Sequence, residues 1–401
     1  MPEDFHIEDL SNWNESDLVD ALAHHSHFAY LDSSDSSSIH SQFSFIGVDP
    51  VPSGGSAGVG CPLHVPFHGG QIGFFTYDGA PHFRTFNKIV AINKKTNQTW
   101  YIHTRFSEPP CPFESLVRRT APSRDFSIGP AQSNETRESY IRKIERAQQY
   151  IYEGDIYQVN LSHRYSAGFS GDPLAFYRRL RAASPAPYSA FLKFPGHTIC
   201  SASPEQLMHI QNGVIRTRPI KGTIASGKHA GQHLSASEKD RAELIMIVDL
   251  ERNDLGRMCN YGSVTVPELI GVEDYRHVSH LVSTIQGTLK PGLTPMQALE
   301  HLFPGGSITG APKIRAMQII NELETVPRHI YTGAIGYIGF NGNADFNIAI
   351  RTAYIGSEAK IHFHTGGAIT ADSDPDSEWQ ETLTKAAGFF QCLEIVSPLH
   401  V

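Results

Sequence analysis

Cysteine is scarce in this chain. The five residues, Cys61, Cys111, Cys200, Cys259 and Cys392, are scattered, and the nearest two lie 50 positions apart. That spacing excludes a zinc ribbon or a redox CxxC pair, and an odd, dispersed set is best read as reduced thiols in a cytoplasmic protein. Positive charge is also short: Lys plus Arg number 33 against 41 Asp plus Glu, a formal charge of -8. Affinity for nucleic acid that rests on phosphate neutralisation needs the opposite sign, so no nucleic-acid partner is expected. Long apolar runs are missing, since nothing approaches the ~18 uncharged apolar residues of a membrane helix. The amino terminus, MPEDFHIEDL, is acidic and lacks the apolar core of a signal peptide. No membrane association is expected, and the predicted localisation is cytoplasmic.

Familiar catalytic signatures are missing too. The 21 histidines include no HExxH. The segment PGGSITGAPK (Pro304 to Lys313) has Ala311 where a P-loop requires lysine, and Thr309 where a nucleophile elbow requires glycine.

What remains is 401 residues of ordinary globular composition, 40% hydrophobic and 18% charged. At roughly 150 residues per domain this allows two or three domains or one large one. The first ~130 residues read as short strands in a loop-rich setting, with a serine cluster at Ser33 to Ser38 and a surface loop at Ser53 to Gly60. GGQIGFFTYD, from Gly69, reads as a buried strand. The proline-rich stretches Glu108 to Glu114 and Pro122 to Glu135 are the best candidate boundary. The chain is accordingly divided into an amino-terminal part (1–130) and a catalytic region (131–401), expected to form one compact unit.

Beyond the boundary, Ile141, Ile144, Gln148 and Ile151 repeat at helical spacing, Gly154 supplies a stop, and Ile156 to Ser162 alternates like a strand. Further helices are expected from Ser237 through AELIMIVDL, after Pro312 with the proline at N1, and from the Asp374-Pro375 cap. TGGAIT (Thr365 to Thr370), just before the last helix, could bring backbone donors to a carboxylate, the alternative being a structural turn. The elements mix without a βαβ rhythm, which points to α+β.

Two of these helices carry paired carboxylates on one stripe, Asp240 with Glu243 and Glu378 with Glu381. Facing each other, they would offer hard oxygen ligands suited to Mg²⁺; acidic residues in first turns are equally favoured by the helix macrodipole. The Gly-rich turn before Lys313 could bind an anion through backbone N–H groups. Lys221, in RPIKGT, would become a nucleophile if held in a desolvated pocket and would stay protonated on the surface.

Read together, the segments SPEQL at Ser203, RPIKGT at Arg218, KDRAELIMIVDLERNDLGR at Lys239, VSHLVSTIQG at Val278, PGGSITGAPK at Pro304, YTGAIGYI at Tyr331, IAIRTA at Ile348 and GGAITADSDPDSEWQET at Gly366 resemble the chorismate-utilising enzymes, a family that includes anthranilate synthase component I and the isochorismate and salicylate synthases. They occur in the family's order over roughly residues 136 to 395. The resemblance implies an α+β fold of two packed antiparallel sheets with helices outside, like anthranilate synthase component I. It implies that Glu243 and Glu381 ligate Mg²⁺, with Asp240 and Glu378 beside them. It places Tyr331, Arg351, the backbone of Gly366, Gly367 and Ala368, and Lys385 on the enolpyruvyl carboxylate of chorismate, with Thr223 and Thr309 as further substrate contacts. Glu205 matches the general acid that protonates the departing C4 hydroxyl, and His280 joins the catalytic set.

Two positions separate the members. Gln158 stands where the water-adding enzymes have a base lysine. Lys221 stands where anthranilate synthase typically has alanine, and it implies a covalent adduct at C2 that directs ammonia to C4, giving 4-amino-4-deoxychorismate for 4-aminobenzoate and folate. The alternatives are anthranilate synthase component I and a non-catalytic relative that binds chorismate or tryptophan. No amidotransferase or lyase segment is visible, so a glutamine amidotransferase subunit is expected to supply ammonia and a separate aminodeoxychorismate lyase to act downstream. Leu31-Asp32-Ser33 and Ser44-Phe45-Ile46-Gly47 resemble the family's tryptophan pocket.

Overall fold

The computed structural model describes residues 4–35, 38, 42–52, 60–106, 108–119, 123, 125–225, 227, 230–274 and 278–392. The expected surface loop at Ser53 to Gly60 lies, apart from Gly60, outside the described residues, as does part of the serine cluster at Ser33 to Ser38.

Strand-forming stretches such as FFTYD and AIGYIG alternate with glycines, and these glycines decide how closely strands approach. In the Ala334–Gly339 strand, Gly336 lies between Gly73 and Phe346 of its two neighbours, and a Cβ there would meet the Asp345 carbonyl at 1.9 Å. All pairings are antiparallel, and they build two sheets. The larger runs in space Phe5–Asp9, Gln98–Thr104, Lys88–Asn93, Phe43–Val48, Phe28–Asp32, Tyr188–Phe194, His197–Ser203, Thr352–Gly356, Lys360–Ile369, Gln158–Gly171 and Gly310–Ala311. The smaller runs Ile220–Ala225, Val278–Thr288, Val214–Arg218, Gln206–Gln211, Ala344–Ile348, Ala334–Gly339, Gly70–Phe75 and Pro81–Phe86, with Thr265–Asp274 on the Val278–Thr288 strand.

Among the described residues there are eight α-helices: α1 (Glu15–Leu22), α2 (Arg137–Tyr152), α3 (Pro173–Ala183), α4 (Ala230–Ala236), α5 (Glu238–Met258), α6 (Pro295–Leu302), α7 (Lys313–Leu323) and α8 (Pro375–Cys392). Side chains from both sheets, including Phe45, Ile72, Phe74, Ile89, Leu192 and Ile335, share one buried cluster, so the sheets pack face to face. The outer face of the larger sheet is covered by α1, α3 and α8 through Leu18, Phe176 and Phe389. The outer face of the smaller sheet is covered by α5 and α6 through Val248, Leu255 and Leu299. This is the α+β architecture expected, with helices outside. No helix among the described residues is long and apolar enough to cross a membrane.

Local signals held where chemistry and geometry coincide. Ser237 caps α5, its side chain accepting from the Asp240 N–H, and the Asp374 carboxylate accepts from the Ser377 N–H at the start of α8. Pro312 differs from expectation by one position: it is the N-cap of α7, and the helix begins at Lys313. The proline-rich stretch expected as a boundary is not a free linker, because Phe126–Ile128 and Gln132–Ser133 both pair with the Gln158–Gly171 strand. Strands from before and after it share both sheets. The small-residue run Thr365 to Thr370 is no turn; all but its last residue belong to the Lys360–Ile369 strand. Gly366 suits a strand here because a Cβ would collide with the Leu161 carbonyl at 2.3 Å, a constraint that sequence alone does not reveal.

Gly336→Ala is expected to lower stability by about 1–3 kcal/mol, the usual cost of overpacking a fixed core. A urea-unfolding midpoint unchanged from the parent would show that the two sheets are not held at this separation.

Candidate active site

The smaller sheet, α5 and the carboxyl-terminal elements of the larger sheet bring the charged candidates together. Lys221 is on the Ile220–Ala225 strand, whose pairing with Val278–Thr288 is irregular between Lys221 and Thr223. At the irregularity Gly222 has φ +62°, and a Cβ there would stand 3.0 Å from Asp240 Cγ. Glycine therefore lets α5 lie against the strand at this point. The Lys221 ammonium donates to the Ser307 carbonyl at 3.3 Å, in the turn before α7. That turn is tied back to α5 by Lys313, which bonds Asp254 at 2.7 Å and the Leu302 carbonyl at 3.1 Å.

Glu205 is buried just after the His197–Ser203 strand. Its backbone is fixed by the Ile348 N–H at 3.0 Å, and its carboxylate accepts from the Ile220 N–H at 3.5 Å. Burial raises the Glu205 pKa, with Lys221 pulling against it. Burial also lowers the Lys221 pKa, with Glu243 and Glu205 pulling against it. In each case loss of solvent outweighs the opposite charge, so amine and carboxyl are both pushed toward their neutral forms. A neutral amine is a nucleophile and a neutral carboxyl is an acid.

The four carboxylates of the two helices converge electrostatically. Burial raises Glu243, and Asp240 and Glu381 add to the rise. Burial likewise raises Glu378, whose Oε1 accepts from Ser373 Oγ at 2.7 Å, and Glu381 adds to the rise. Glu381 is raised by burial and lowered by Lys385, and Lys385 wins through an ion pair at 2.6 Å. Gly367 lies beneath these groups: a Cβ there would stand 3.2 Å from Glu378 Oε2 and 4.0 Å from Glu381 Oε1. Among the described residues no three such side chains are already drawn to ligating distance. Mg²⁺ takes one or two carboxylates and completes its shell with water and substrate, so an oxygen-only set whose members raise one another fits that ion.

The second group forms where the larger sheet loses a strand. Thr352–Gly356 pairs with Lys360–Ile369 only from Ala353, opposite Phe363, outward. Gly366, Gly367 and Ala368 therefore pair on one side only, with Ser162, Leu161 and Asn160. Arg351, just before the shorter strand, has φ +50°, and burial alone lowers its pKa, with no carboxylate offsetting it. Lys385 donates to the Gly366 carbonyl at 3.1 Å. Tyr331 is buried and stacks on His364 at 5.1 Å, and burial pushes its hydroxyl up to about 12. His280 is buried, with Nδ1 3.4 Å from the Gly222 carbonyl; burial, then Arg351, lower it to about 4, so its ring is neutral.

Two expected contacts need comment. The Thr309 hydroxyl is fully buried and donates to the Gly305 carbonyl at 2.9 Å, so it braces its own turn. The side chain of Thr223 lies outside the described residues. Two buried polar groups complete the site. Gln158, paired with Ala311, has no exposure and neither amide atom is hydrogen-bonded. Glu251, one helical face along α5 from Glu243, is 2% exposed and was not singled out by sequence, where a glutamate in a polar helix reads as solvated.

A separate cavity of about 650 Å³ opens between the sheets, lined by Leu31, Ser33, Phe45, Tyr188, Tyr337 and Asp345 among others. Asp32 at its margin is already paired with Arg181 and Lys94 and accepts from Tyr177.

A family model described as chorismate binding enzyme matches residues 72–391. Aminodeoxychorismate synthase component 1 of Salmonella typhimurium is 40% identical over 354 residues, covering 82% of this chain and 78% of that protein. The Escherichia coli K12 protein of the same name is 41% identical over 361 residues, covering 83% and 79%. Anthranilate synthase component 1 of Acetivibrio thermocellus is 43% identical over 268 residues, covering 65% of this chain and 54% of that one. The crystal structure of anthranilate synthase component I from Streptococcus pneumoniae superposes with TM-score 0.73 and 30% identity, covering 96% and 92%. The menaquinone-specific isochorismate synthase of Escherichia coli, at TM-score 0.78 and 20% identity over 97% and 94%, shares the fold.

A divalent cation held by the helix carboxylates needs the space above Gly367. Gly367→Val should weaken Mg²⁺ binding roughly tenfold, about 1.4 kcal/mol, in calorimetric titration; an unchanged isotherm would mean that the ion sits elsewhere.

Proposed function

The chain belongs to the chorismate-binding enzyme family, and within it we propose that it is an aminodeoxychorismate synthase component 1, converting chorismate and ammonia to 4-amino-4-deoxychorismate. The observation that carries this reading is that the strand bearing the half-buried Lys221 also donates, through the Ile220 N–H, to the carboxylate of the buried Glu205, with burial pushing both side chains toward their neutral forms.

In this reading the neutral Lys221 amine attacks C2 of the ring while the C4–O bond breaks. Glu205 gives its proton to the departing hydroxyl, which leaves as water, because hydroxide alone is a poor leaving group. Ammonia then bonds to C4 as the C2–N bond breaks and its electron pair returns to Lys221, and the surplus proton passes to the Glu205 carboxylate. A tethered amine at C2 blocks the site at which ammonia would otherwise give anthranilate. Gln158 can donate and accept at the ammonia but cannot serve as a base for water, and its unsatisfied amide supports a role facing a bound molecule.

Arg351 supports capture of the enolpyruvyl carboxylate, since a half-buried guanidinium with no carboxylate offsetting its loss of solvent is suited to take an anion. The half-paired backbone of Gly366 to Ala368, Tyr331 and Lys385 complete that grip. Glu243 and Glu381, with Asp240 and Glu378 beside them, would hold Mg²⁺, whose chemistry there is to bind the ring carboxylate and fix the ring. His280, neutral beside Arg351, is assigned to the ring pocket. A glutamine-hydrolysing subunit would supply ammonia, in keeping with the "component 1" in the names of the relatives, and a separate lyase would release pyruvate. The setting proposed is the cytoplasm, supported by five unpaired cysteines.

The reading is tested by incubating the protein with chorismate and Mg²⁺ without ammonia. A substrate-derived mass increment on the peptide holding Lys221 is expected, absent in Lys221→Ala. The increment should fade as pH falls and the amine is protonated. Direct release of anthranilate when ammonium is added, with no adduct, would instead favour anthranilate synthase.

The cavity between the sheets is proposed to take tryptophan, since both segments resembling the family's pocket contribute to its lining. Asp345, the second carboxylate of the lining, accepts from Gln206 Nε2 at 3.0 Å and lies 3.3 Å from His209 Nδ1, so an amino group would have to share it with these partners. Saturable heat on titration with L-tryptophan is expected, lost in Asp345→Leu; no heat at millimolar ligand removes the proposal.

A further inference from the structure

The Ser307 carbonyl that receives the Lys221 side chain has a second donor. The Asn160 carboxamide reaches the same oxygen, its Nδ2 donating at 3.1 Å beside the lysine at 3.3 Å. A carbonyl oxygen offers two lone pairs, so both are claimed and its direction is fixed from two sides. Asn160 is half-buried on the Gln158–Gly171 strand, and its side chain shares a face with Gln158 and Ser162 because side chains alternate along a strand. Its backbone is committed to the same turn. The Asn160 N–H donates to the Thr309 carbonyl at 2.8 Å, and the Asn160 carbonyl accepts from Arg328 Nη2 at 2.7 Å. Arg328, 3% exposed, takes the carbonyl in between, its Nη1 donating to Ile308 at 3.2 Å. The carbonyls of residues 307, 308 and 309 are thus all docked on Asn160 and Arg328. The guanidinium is itself held by Glu324, which accepts from Nε at 2.9 Å and Nη2 at 2.7 Å and also from the Ser162 N–H at 2.8 Å. Asn160 lies opposite Ala368 in the strand register, so the residue that aims the lysine's carbonyl partner stands against the half-paired backbone of Gly366 to Ala368.

We propose that Asn160 is a positioning residue for the nucleophile: its carboxamide sets the direction of the Ser307 carbonyl, and through it the place of the Lys221 amine relative to a ring held against residues 366–368. The inference rests on Lys221 being the nucleophile. A lysine stem is long and flexible, so an anchor on its terminal nitrogen removes freedom that would otherwise be lost at the moment of attack. Without the Asn160 donor the carbonyl keeps only its lysine partner and no longer passes the position of the strand to the amine. Substrate affinity, which in this reading comes from Arg351, the half-paired backbone and the helix carboxylates, is not routed through this oxygen.

The test separates binding from attack. Chorismate affinity is measured by calorimetry with Mg²⁺, the rate of adduct formation on Lys221 by single-turnover mass spectrometry, and the products after ammonium is added. Asn160→Ala keeps the backbone bonds of the strand and should slow adduct formation roughly tenfold, the scale on which a misplaced reacting group is felt, with affinity within about twofold of the parent. The share of anthranilate among the products should rise, because ammonia then meets C2 before the lysine does. Asn160→Asp, of the same shape, presents an ionised oxygen that cannot donate to the carbonyl and should be slow in the same way; it decides if the Ala protein does not fold. Adduct formation at the parental rate, or a loss of rate matched by an equal loss of affinity with the product ratio unchanged, overturns the proposal. Parent and Lys221→Ala are run beside the variants. A parent that forms no adduct overturns the nucleophile assignment and the inference with it, whereas a parental adduct that the Asn160 variants form equally fast defeats only the inference.

Discussion

The site depends on one imbalance: in the pocket between the smaller sheet and α5, the cost of removing charge from water exceeds the attraction between Lys221 and the carboxylates near it. Had attraction won, lysine and glutamate would form an ordinary ion pair, with the amine unable to attack and the carboxylate unable to give a proton. The pKa shifts run the other way for both residues. The Ser307 turn and the Lys313–Asp254 tie hold the elements around this pocket in place.

The helix carboxylates present the complementary case. Glu243 and Glu378 are raised by burial and by one another's neighbours, and only Glu381 escapes, through Lys385. An acidic cluster of this kind stores repulsion that a divalent cation relieves. Glycine at 367 keeps a Cβ from standing 3.2 Å from Glu378 Oε2. Arg351 is the mirror image, a half-buried cation whose loss of solvent no carboxylate offsets. The two halves of the site, one short of positive charge and one short of negative, match a dianionic substrate presented with a metal.

Much of this was legible from the residues. The stripes Asp240/Glu243 and Glu378/Glu381, the lysine of RPIKGT and the caps at Ser237 and Asp374 are local patterns, and helix periodicity brings out each of them. The small residues at 365–370 form a strand rather than a turn because Gly366 packs closely against Leu161 and Ser162, neighbours about two hundred and five residues earlier in sequence. The Thr309 hydroxyl donates to the Gly305 carbonyl of its own turn, a bond that only the folded turn makes visible. Glu251 was passed over because one glutamate in KDRAELIMIVDLERNDLGR looks like the next; only the side of α5 that meets Thr217 makes it a buried acid.

The order and chemical type of the groups, eight motif segments and the absence of any zinc, P-loop or nucleophile-elbow signature belong to the sequence alone, and they are enough to fix the family. What tertiary structure decided is charge state and availability. Ionisation follows from solvent exclusion and from the charges that distant elements bring near, and hydrogen-bonding capacity follows from which partners have already claimed each donor. Neither is a property of a residue or of its neighbours along the chain, so Lys221 and Glu205 acquired their chemistry only when two sheets and a helix closed around them.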